Sequence, residues 1–251
     1  MKKVRVEAST KKDRTSEIFG NPMSKKVIRK AQKSKQKNQK KYGDDSKVNY
    51  QCIIRDNSCI GEPLGVKNVV VTRKEGKGSF DEEKGVIVGN IRMGFGHYRI
   101  SMAIASAAHA LGYTPYWMDL NSYPETTCTK LISAQNELYS LGSRISQKSK
   151  LFNKFVWEPV NYEGFRQLSY NAADQKNAEL MAPVYHSVPK DIPVIATHVW
   201  PAQAAVHAGM KHVVNAIPDN WPMALHYAQG SLHTVQTHYA YQGYRIGNGM
   251  M

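Results

Sequence analysis

The sequence has few cysteines and no long apolar run. Its three cysteines, Cys52, Cys59 and Cys128, are an odd number and none belongs to a Cys-x-x-Cys pair, which argues against a disulfide framework and a structural zinc site. No apolar stretch reaches the roughly 18 residues that a membrane-spanning helix needs, and the N-terminal segment lacks the apolar core of a secretory signal. These absences predict a reduced, soluble, cytoplasmic protein.

Acidic residues are scarce at the N-terminus. Residues 1–47 hold 16 of the 34 Lys and Arg but only 5 of the 20 Asp and Glu, whereas residues 48–251 are nearly neutral. Because few apolar residues lie between the cations, residues 1–47 are predicted to form a basic, disordered tail. This tail is either solvated or in contact with an anionic surface, for which lipid and RNA both fit. A compact nucleic-acid-binding domain is not expected, since its charge would lie on a structured face.

Residues 48–251 alternate between strand and helix patterns. The apolar run from Gly85 to Ile91 is typical of a strand buried on both faces, and the Ala-rich stretch that ends at Leu111 is helical, with Gly112 following its end. Further strands are predicted over residues 66–72, 113–120, 192–198, 212–217 and 232–236. Further helices are predicted over most of 125–182, with Thr126 or Thr127 as N-cap, and over 201–209 and 238–246. This alternation predicts a doubly wound, mostly parallel, Rossmann-like α/β domain over residues 48–251.

The strongest local signal for a ligand site is the turn that follows the strand starting at Gly85. Its residues are Gly94, Phe95, Gly96 and His97. Main-chain N–H groups at the start of a helix favour a phosphate or diphosphate, and Arg92 and Arg99 add positive charge. The spacing matches neither the dinucleotide fingerprint nor a P-loop, so a tight strand-to-helix connection without a ligand is the alternative.

The histidine of this turn is a candidate general base. His97 falls in the first turn of a helix at the carboxyl edge of the sheet, where ligands bind in open α/β folds. The helix dipole disfavours the protonated imidazole there, so His97 is expected to be neutral near pH 7 and able to accept a proton from a hydroxyl. The alternative is a histidine that only caps the loop through a hydrogen bond.

A second polar cluster follows the predicted strand at 212–217. Asp219 and Asn220 are expected to face the same crevice as His97, and His198, His226 and His233 fall near this edge. The histidine spacings match no known zinc pattern, so no metal is predicted and structural roles are the alternative for most of them.

A basic and aromatic segment spans residues 144–170. Lysines alternate there with large aromatic residues, among them Phe155 and Trp157. Helical core is one interpretation of this pattern, and a patch that rests on a membrane interface is the other.

Together these motifs resemble the amino-terminal half of GT-B glycosyltransferases, in the group of monogalactosyldiacylglycerol synthase, the processive diacylglycerol glucosyltransferases and the peptidoglycan lipid-intermediate N-acetylglucosaminyltransferase. The resemblance covers about residues 85–246. It rests on the buried strand Val86 to Asn90, the Gly-His turn, the Ala-rich helix Ser101 to Leu111, and Ile217 to Asp219 with His226.

The resemblance implies an acceptor-binding half whose acceptor is a lipid or another membrane-associated hydroxyl. His97 would deprotonate that hydroxyl and Asp219 would assist, while Gly94, Phe95, Gly96, Arg99, Asn220 and His226 would bind substrate or phosphate. A nucleotide-sugar would be the co-substrate, with no other cofactor, and a donor-binding domain or subunit would lie outside these 251 residues. Such a protein would work at the inner face of the membrane. The alternative is a non-catalytic module that binds a phosphorylated ligand and is tethered to anionic lipid or RNA by its basic tail.

Overall fold

The chain alternates between strands and helices through most of its length. The computed structural model describes residues 13–246 except residues 75, 77 and 78. The strands are β1 (Glu17–Ile18), β2 (Asn21–Pro22), β3 (Gln51–Asp56), β4 (Lys67–Thr72), β5 (Gly85–Asn90), β6 (Thr114–Asp119), β7 (Val194–Ala196), β8 (Val213–Ala216) and β9 (Leu232–Thr234). The helices are α1 (Lys25–Tyr42), α2 (Gly61–Leu64), α3 (Phe95–Ala110), α4 (Thr127–Lys148), α5 (Lys150–Phe152), α6 (Leu168–Ala178), α7 (Val199–His207) and α8 (His238–Ile246).

Seven strands form one sheet in the order β3-β4-β6-β5-β7-β8-β9. Neighbours pair in parallel except β3 and β4, which are antiparallel. The chain passes from β5 to β6 on one side and then crosses to β7 on the other, so the connections change direction between β5 and β7. In open α/β sheets, a ligand crevice forms outside the carboxyl ends of the strands at such a point. The prediction of a doubly wound, mostly parallel α/β sheet is confirmed; β3 is a strand that the sequence pattern did not indicate.

Strand β5 lies in the middle of this sheet because it can be buried on both faces. All six of its residues are buried. Successive side chains point to opposite faces, so Ile87 joins the main apolar core while Val88 joins a smaller cluster on the other side. A Cβ on Gly89 would lie 3.2 Å from the Tyr185 hydroxyl and from Pro201. The glycine therefore allows α7 and its neighbours to approach the strand closely.

The other predicted elements are found within two residues of their expected ends, except that α6 ends at Ala178, four residues before the predicted end at residue 182. Thr126 is the N-cap of α4, and its hydroxyl accepts from the main-chain N–H of Thr129 at 3.1 Å. Gly112 follows α3 with a φ of +81°, the left-handed conformation that favours glycine at a helix end. Both cap predictions are confirmed.

The prediction of a disordered tail is wrong for residues 13–47. Helix α1 packs along α6, where Ala31 is buried, Lys35 forms an ion pair with Glu179 at 2.5 Å and Asn38 donates to Asn177 at 3.0 Å. The sequence pattern did not predict this helix, because α1 contacts α6 largely through polar side chains and has no broad apolar stripe. Residues 1–12 of the predicted tail lie outside the described residues.

The hairpin β1–β2 anchors the same segment at the far end of the sheet. Phe19, between its two strands, stacks on Tyr227 with ring centroids 4.1 Å apart and on Tyr244 at 5.6 Å. The segment before β3 thus wraps along the domain from the β9 side to α6, and the described part of it belongs to the fold.

Residues 138–164, here called the helical arm, form a helical extension with many exposed apolar side chains. The arm includes the end of α4, α5 and the π-helical segments Asn153–Trp157 and Val160–Gly164. Its exposed apolar residues are Leu138, Tyr139, Leu141, Ile145, Leu151, Phe155, Val156, Val160 and Tyr162. The helical prediction for residues 144–170 is confirmed, but the interpretation as helical core is wrong for those of these side chains that lie in this segment, from Ile145 to Tyr162. Within the described residues, no helix is long and apolar enough to cross a membrane.

Candidate functional site

The predicted turn after β5 lies at the change of direction in the sheet. Gly94 is the N-cap of α3 with a φ of +84°, so α3 begins at Phe95 and His97 falls in its first turn. A Cβ on Gly94 or Gly96 would meet nothing within 4 Å. The first turn of a helix presents N–H groups that have no partner within the helix, and such groups suit an anionic ligand.

The ring of His97 is tied to the end of β7. Its Nδ1 lies 2.6 Å from the main-chain oxygen of Thr197. Because a carbonyl oxygen can only accept, Nδ1 carries the proton and donates, and Nε2 keeps a free lone pair. This tautomer is the one that a general base acting through Nε2 requires. The same bond also fits the alternative, in which His97 only ties the loop.

Two hydroxyls fix the same junction from inside the core. Ser101 Oγ donates to the main-chain oxygen of His97 at 2.9 Å and lies 2.9 Å from Thr197 Oγ1. Ser101 and Thr197 are both fully buried. The first turn of α3 and the residue after β7 are therefore held together by side-chain and main-chain bonds, which leaves the His97 ring little freedom to turn.

Burial keeps His97 neutral. Loss of solvent lowers the pKa of His97 below its ordinary value and outweighs the opposing effects of the Thr197 carbonyl and of Asp219, while His226 adds to the lowering. The expected neutral state is thus supported, but its main cause is burial rather than the helix dipole alone.

Asp219 and His226 come together near His97. His226 Nε2 lies 3.1 Å from Asp219 Oδ2; the histidine is buried and the carboxylate is about half exposed. Contact with His226 holds the pKa of Asp219 below its ordinary value, and His97 contributes in the same direction. The structure therefore brings His97, Asp219 and His226 into one electrostatic group, as the sequence analysis predicted for the first two.

Two other histidines have structural roles. His198 is the N-cap of α7, and its Nδ1 accepts from the main-chain N–H of Trp200 at 3.2 Å. His233 Nε2 accepts from the main-chain N–H of Ala228 at 3.1 Å. Burial lowers the pKa of His198 well below its ordinary value and lowers that of His233 to about 4. Both are neutral acceptors, as the structural alternative for these histidines predicts.

The remaining predicted site residues are less closely tied to this group. Phe95, the first residue of α3, is 81% exposed. Arg92 lies 4.0 Å from Asp119 and thus faces the end of β6. Arg99 and Asn220 are exposed, and their side chains make no hydrogen bond or ion pair with the described part of the chain. The structure leaves their predicted ligand contacts untested.

The helical arm borders the crevice. Trp221, two residues after Asp219, lies 6.2 Å from Tyr162 between ring centroids, and the guanidinium of Arg166 lies over both rings. Leu225 N donates to the main-chain oxygen of Phe165 at 3.0 Å. An open groove of about 600 Å³ runs along the arm beside Tyr162. The exposed apolar surface of the arm therefore adjoins the loop that carries Asp219.

Cysteine and metal chemistry find no support in the described residues. Cys52, Cys59 and Cys128 are free thiols, of which only Cys59 is exposed. No group of three or more His, Cys, Asp or Glu side chains within residues 13–246, apart from the three undescribed positions, is arranged to hold a metal ion.

The residues that hold the site in place could not be recognised from the sequence pattern. Thr197 meets His97 across 100 residues of chain, and Ser101 meets Thr197 across 96. Asn215 in β8 and several buried carboxamides on α6 and α7 bond the segment around His226. The spacing of such hydroxyls and amides in the sequence does not predict their role, because most of their partners are main-chain groups of other elements.

Comparisons with known proteins identify a family but no activity. No curated protein and no solved structure matches the chain. Residues 17–246 match the family described as Domain of unknown function (DUF6937). This match includes α1, the seven-stranded sheet, His97, Asp219 and His226. The chain belongs to this family.

Proposed function

We propose that this domain is the acceptor-binding half of a nucleotide-sugar-dependent glycosyltransferase and that His97 is its general base. One observation carries the proposal: the 2.6 Å bond from His97 Nδ1 to Thr197, at the change of direction in the sheet, which leaves Nε2 as a free base. A neutral imidazole at the carboxyl edge of the sheet suits proton abstraction from a hydroxyl near pH 7.

The proposed reaction is a single displacement. Nε2 of His97 takes the proton of the acceptor hydroxyl, and the acceptor oxygen forms a bond to the anomeric carbon of the sugar. The bond from that carbon to the nucleotide diphosphate breaks, and its electron pair leaves with the diphosphate. Attack opposite the leaving group inverts the anomeric centre.

Charges around the crevice support this reaction. Asp219 would stabilise the imidazolium that forms on His97, since it favours the protonated ring. The N–H groups in the first turn of α3, which follows Gly94 and contains Gly96, would stabilise the negative charge that develops on the diphosphate. A donor-binding domain or subunit would supply the nucleotide-sugar and is part of the proposal.

The helical arm supports a lipid or membrane-associated acceptor. Leu151 and Phe155 are 73% and 66% exposed, and Lys148, Lys150 and Lys154 are exposed around them. Apolar side chains surrounded by lysines suit the boundary between headgroups and acyl chains of an anionic membrane. Because the arm adjoins the loop of Asp219, a lipid hydroxyl held at the arm would be near His97.

The base role can be tested by sugar transfer. The full protein, with the donor-binding domain or subunit that accompanies it, is given radiolabelled UDP-galactose or UDP-glucose and diacylglycerol in phosphatidylglycerol vesicles. The His97→Ala variant is expected to transfer about 100-fold or more slowly than the wild type. The exposed His212→Ala variant is the matched control and is expected to retain the wild-type rate. Equal rates for wild type and His97→Ala would refute the base role, and absence of transfer by the wild type would count against the proposed activity.

A second candidate function is a non-catalytic phosphate-binding module that is tethered to an anionic surface. Its specific support is α1, which is folded onto α6 and has one side lined with exposed cations. These are Lys25, Lys26, Arg29, Lys30, Lys33, Lys37, Lys40 and Lys41. A fixed row of cations attracts lipid headgroups and nucleic acid phosphates alike.

Removal of lysine charges shows whether binding depends on α1 itself or only on the net positive charge of the protein. A variant with Lys26, Lys30, Lys33 and Lys37 changed to Gln is compared with a variant of equal charge in which Lys47, Lys67, Lys74 and Lys84 are changed to Gln. Selective loss of binding to phosphatidylserine vesicles in the first variant supports a lipid tether, and selective loss of binding to RNA supports a nucleic acid tether. Equal retention in both variants would argue against a role for α1.

A further inference from the structure

Four buried carboxamides converge on the segment that carries His226. They are Asn171 and Gln175 on α6, Gln203 on α7 and Asn215 on β8, here called the carboxamide cage, and each is at most 2% exposed. The segment they surround contains a short 3₁₀ turn, Ala224–His226, and then continues to β9 without regular structure.

Every amide of the cage donates to main-chain oxygens of this segment. Asn171 donates to Ala224 at 2.7 Å and to Tyr227 at 2.8 Å, and Gln203 donates to Tyr227 at 2.9 Å. Gln175 adds a third bond to the same oxygen of Tyr227, at 3.2 Å. The main-chain oxygens on both sides of His226 are therefore held from two helices.

The fourth member of the cage binds the main chain of the histidine itself. Asn215 donates from β8 to the main-chain oxygen of His226 at 2.6 Å. Because this bond and those to Ala224 and Tyr227 hold main-chain groups before, at and after His226, they fix the direction of its Cα–Cβ bond. That direction brings Nε2 to 3.1 Å from Asp219.

The acceptor ends of three of these amides have no partner within the described residues. They are Asn171 Oδ1, Gln175 Oε1 and Gln203 Oε1, and all three are buried. A buried acceptor without a partner lowers stability, so an apolar residue of similar size would suit these positions better if packing were their only role. The donor ends of these side chains are what the fold uses.

We propose that Asn171, Gln175, Gln203 and Asn215 are positioning residues that hold the His226 imidazole against Asp219 on the edge of the crevice. The catalytic consequence rests on the proposed function: a fixed Asp219–His226 pair keeps the carboxylate ionised and close to His97 while the His97 ring takes up a proton. The positioning itself is a property of the folded domain and can be measured without any substrate.

The test compares shape-conserving variants that remove one donor. Asn171→Leu and Gln203→Met take two amides out of the cage. Asn177→Leu is the matched control: Asn177 is on the same helix and 6% exposed, but its amide binds Ser34 and Asn38 on α1. Thermal unfolding first establishes that each variant is folded, and Gln175→Met, which removes the longest of the three bonds to Tyr227, replaces any variant that is not.

The readout is the titration of Asp219, followed by the carbon-13 shift of its carboxyl group in the full chain. His226→Ala provides the reference, because it removes the contact that lowers the Asp219 pKa. The cage variants are expected to move the Asp219 midpoint upward toward the His226→Ala value, and Asn177→Leu is expected to leave it at the wild-type value. Folded cage variants in which Asp219 titrates as in the wild type would overturn the proposal.

Measurements of sugar-transfer kinetics distinguish a failure of this inference from a failure of the proposed function. If both hold, the cage variants lower kcat and leave KM for the nucleotide-sugar within about twofold of the wild type, whereas Asn177→Leu changes neither. If the wild type transfers no sugar, the proposed function fails while the Asp219 titration still decides whether the cage positions His226.

Discussion

The hydroxyl groups of Ser101 and Thr197 lie 2.9 Å apart in the core, although 96 residues separate them in the chain. Ser101 is on α3, which follows β5, and Thr197 follows β7, so the pair joins the segments that leave the two strands between which the sheet changes direction. Ser101 also donates to the main-chain oxygen of His97. The candidate base on α3 is thus attached to the residue that follows β7.

Removal of the Ser101 hydroxyl should lower the stability of the domain. Ser101→Ala leaves Thr197 Oγ1 without its partner in a buried position, and we expect the free energy of unfolding to fall by about 1–3 kcal/mol in urea denaturation. Ser146→Ala is the control, since its hydroxyl bonds a carbonyl one turn away on the helical arm, and it should cost less than about 0.5 kcal/mol. Equal losses would contradict the role of the buried pair.

The two glycines of the turn should respond differently to alanine. Gly94 has a φ of +84°, so Gly94→Ala should lower the free energy of unfolding by about 1–3 kcal/mol. Gly96 is inside the first turn of α3 without such a φ, so Gly96→Ala should be neutral or stabilise by up to about 1 kcal/mol. Both sites have open space for a Cβ, so chemical denaturation isolates the backbone effect. A Gly94→Ala variant as stable as the wild type would contradict it.

Asp174 should make stability depend on pH. Burial raises its pKa to about 7, while Trp200 Nε1 donates to its carboxylate at 3.1 Å. A carboxyl group with a raised folded pKa favours the folded state most at low pH, and this contribution is lost as pH rises from about 4 to about 7. The Asp174→Asn variant lacks this loss, so its stability relative to the wild type should increase over that range by roughly 4 kcal/mol and then level off.

Urea denaturation at several pH values between 4 and 9 measures this difference. Asp191→Asn, at an exposed carboxylate paired with Lys211, is the control and should show no comparable trend. A difference between Asp174→Asn and the wild type that is constant with pH would contradict the assigned pKa.

The packing of α1 against α6 should contribute to the free energy of unfolding. Ala31 is 1% exposed against α6, so Ala31→Glu buries a charge and should lower the free energy of unfolding by roughly 2 kcal/mol or more. Lys33→Glu, an exposed site two residues later, makes a larger change of charge without burial and should stay within about 0.5 kcal/mol. Equal stability of both variants in thermal or urea denaturation would mean that α1 does not contribute to the fold.

Local patterns predicted the elements well where apolar spacing was clear. The run of buried residues in β5 and the stripe of α3 produced strand and helix predictions that the structure confirms. The pattern failed for α1, because its contact with α6 uses Lys35, Asn38 and Asn177 rather than an apolar stripe. It also failed for β3, whose pairing with β4 depends on a partner rather than on its own alternation.

The candidate site was predictable only in part. Helix-start glycines followed by a histidine are a local signal, and so is an Asp just after a strand, so His97 and Asp219 could be named from the sequence. The partners that give these residues a defined state could not, because Thr197 and the carboxamide cage approach through long-range contacts that depend on strand order.

Short-range chemistry in the sequence by itself determined that a strand, a glycine turn and a helix carrying His97 follow one another, because residue size and backbone freedom act over neighbouring positions. Only the tertiary structure decided which nitrogen of His97 holds its proton, which side chain His226 faces and that the basic segment folds against α6. Those outcomes depend on which strands become neighbours and on polar groups that find partners about 100 residues away, and no local period records such pairings.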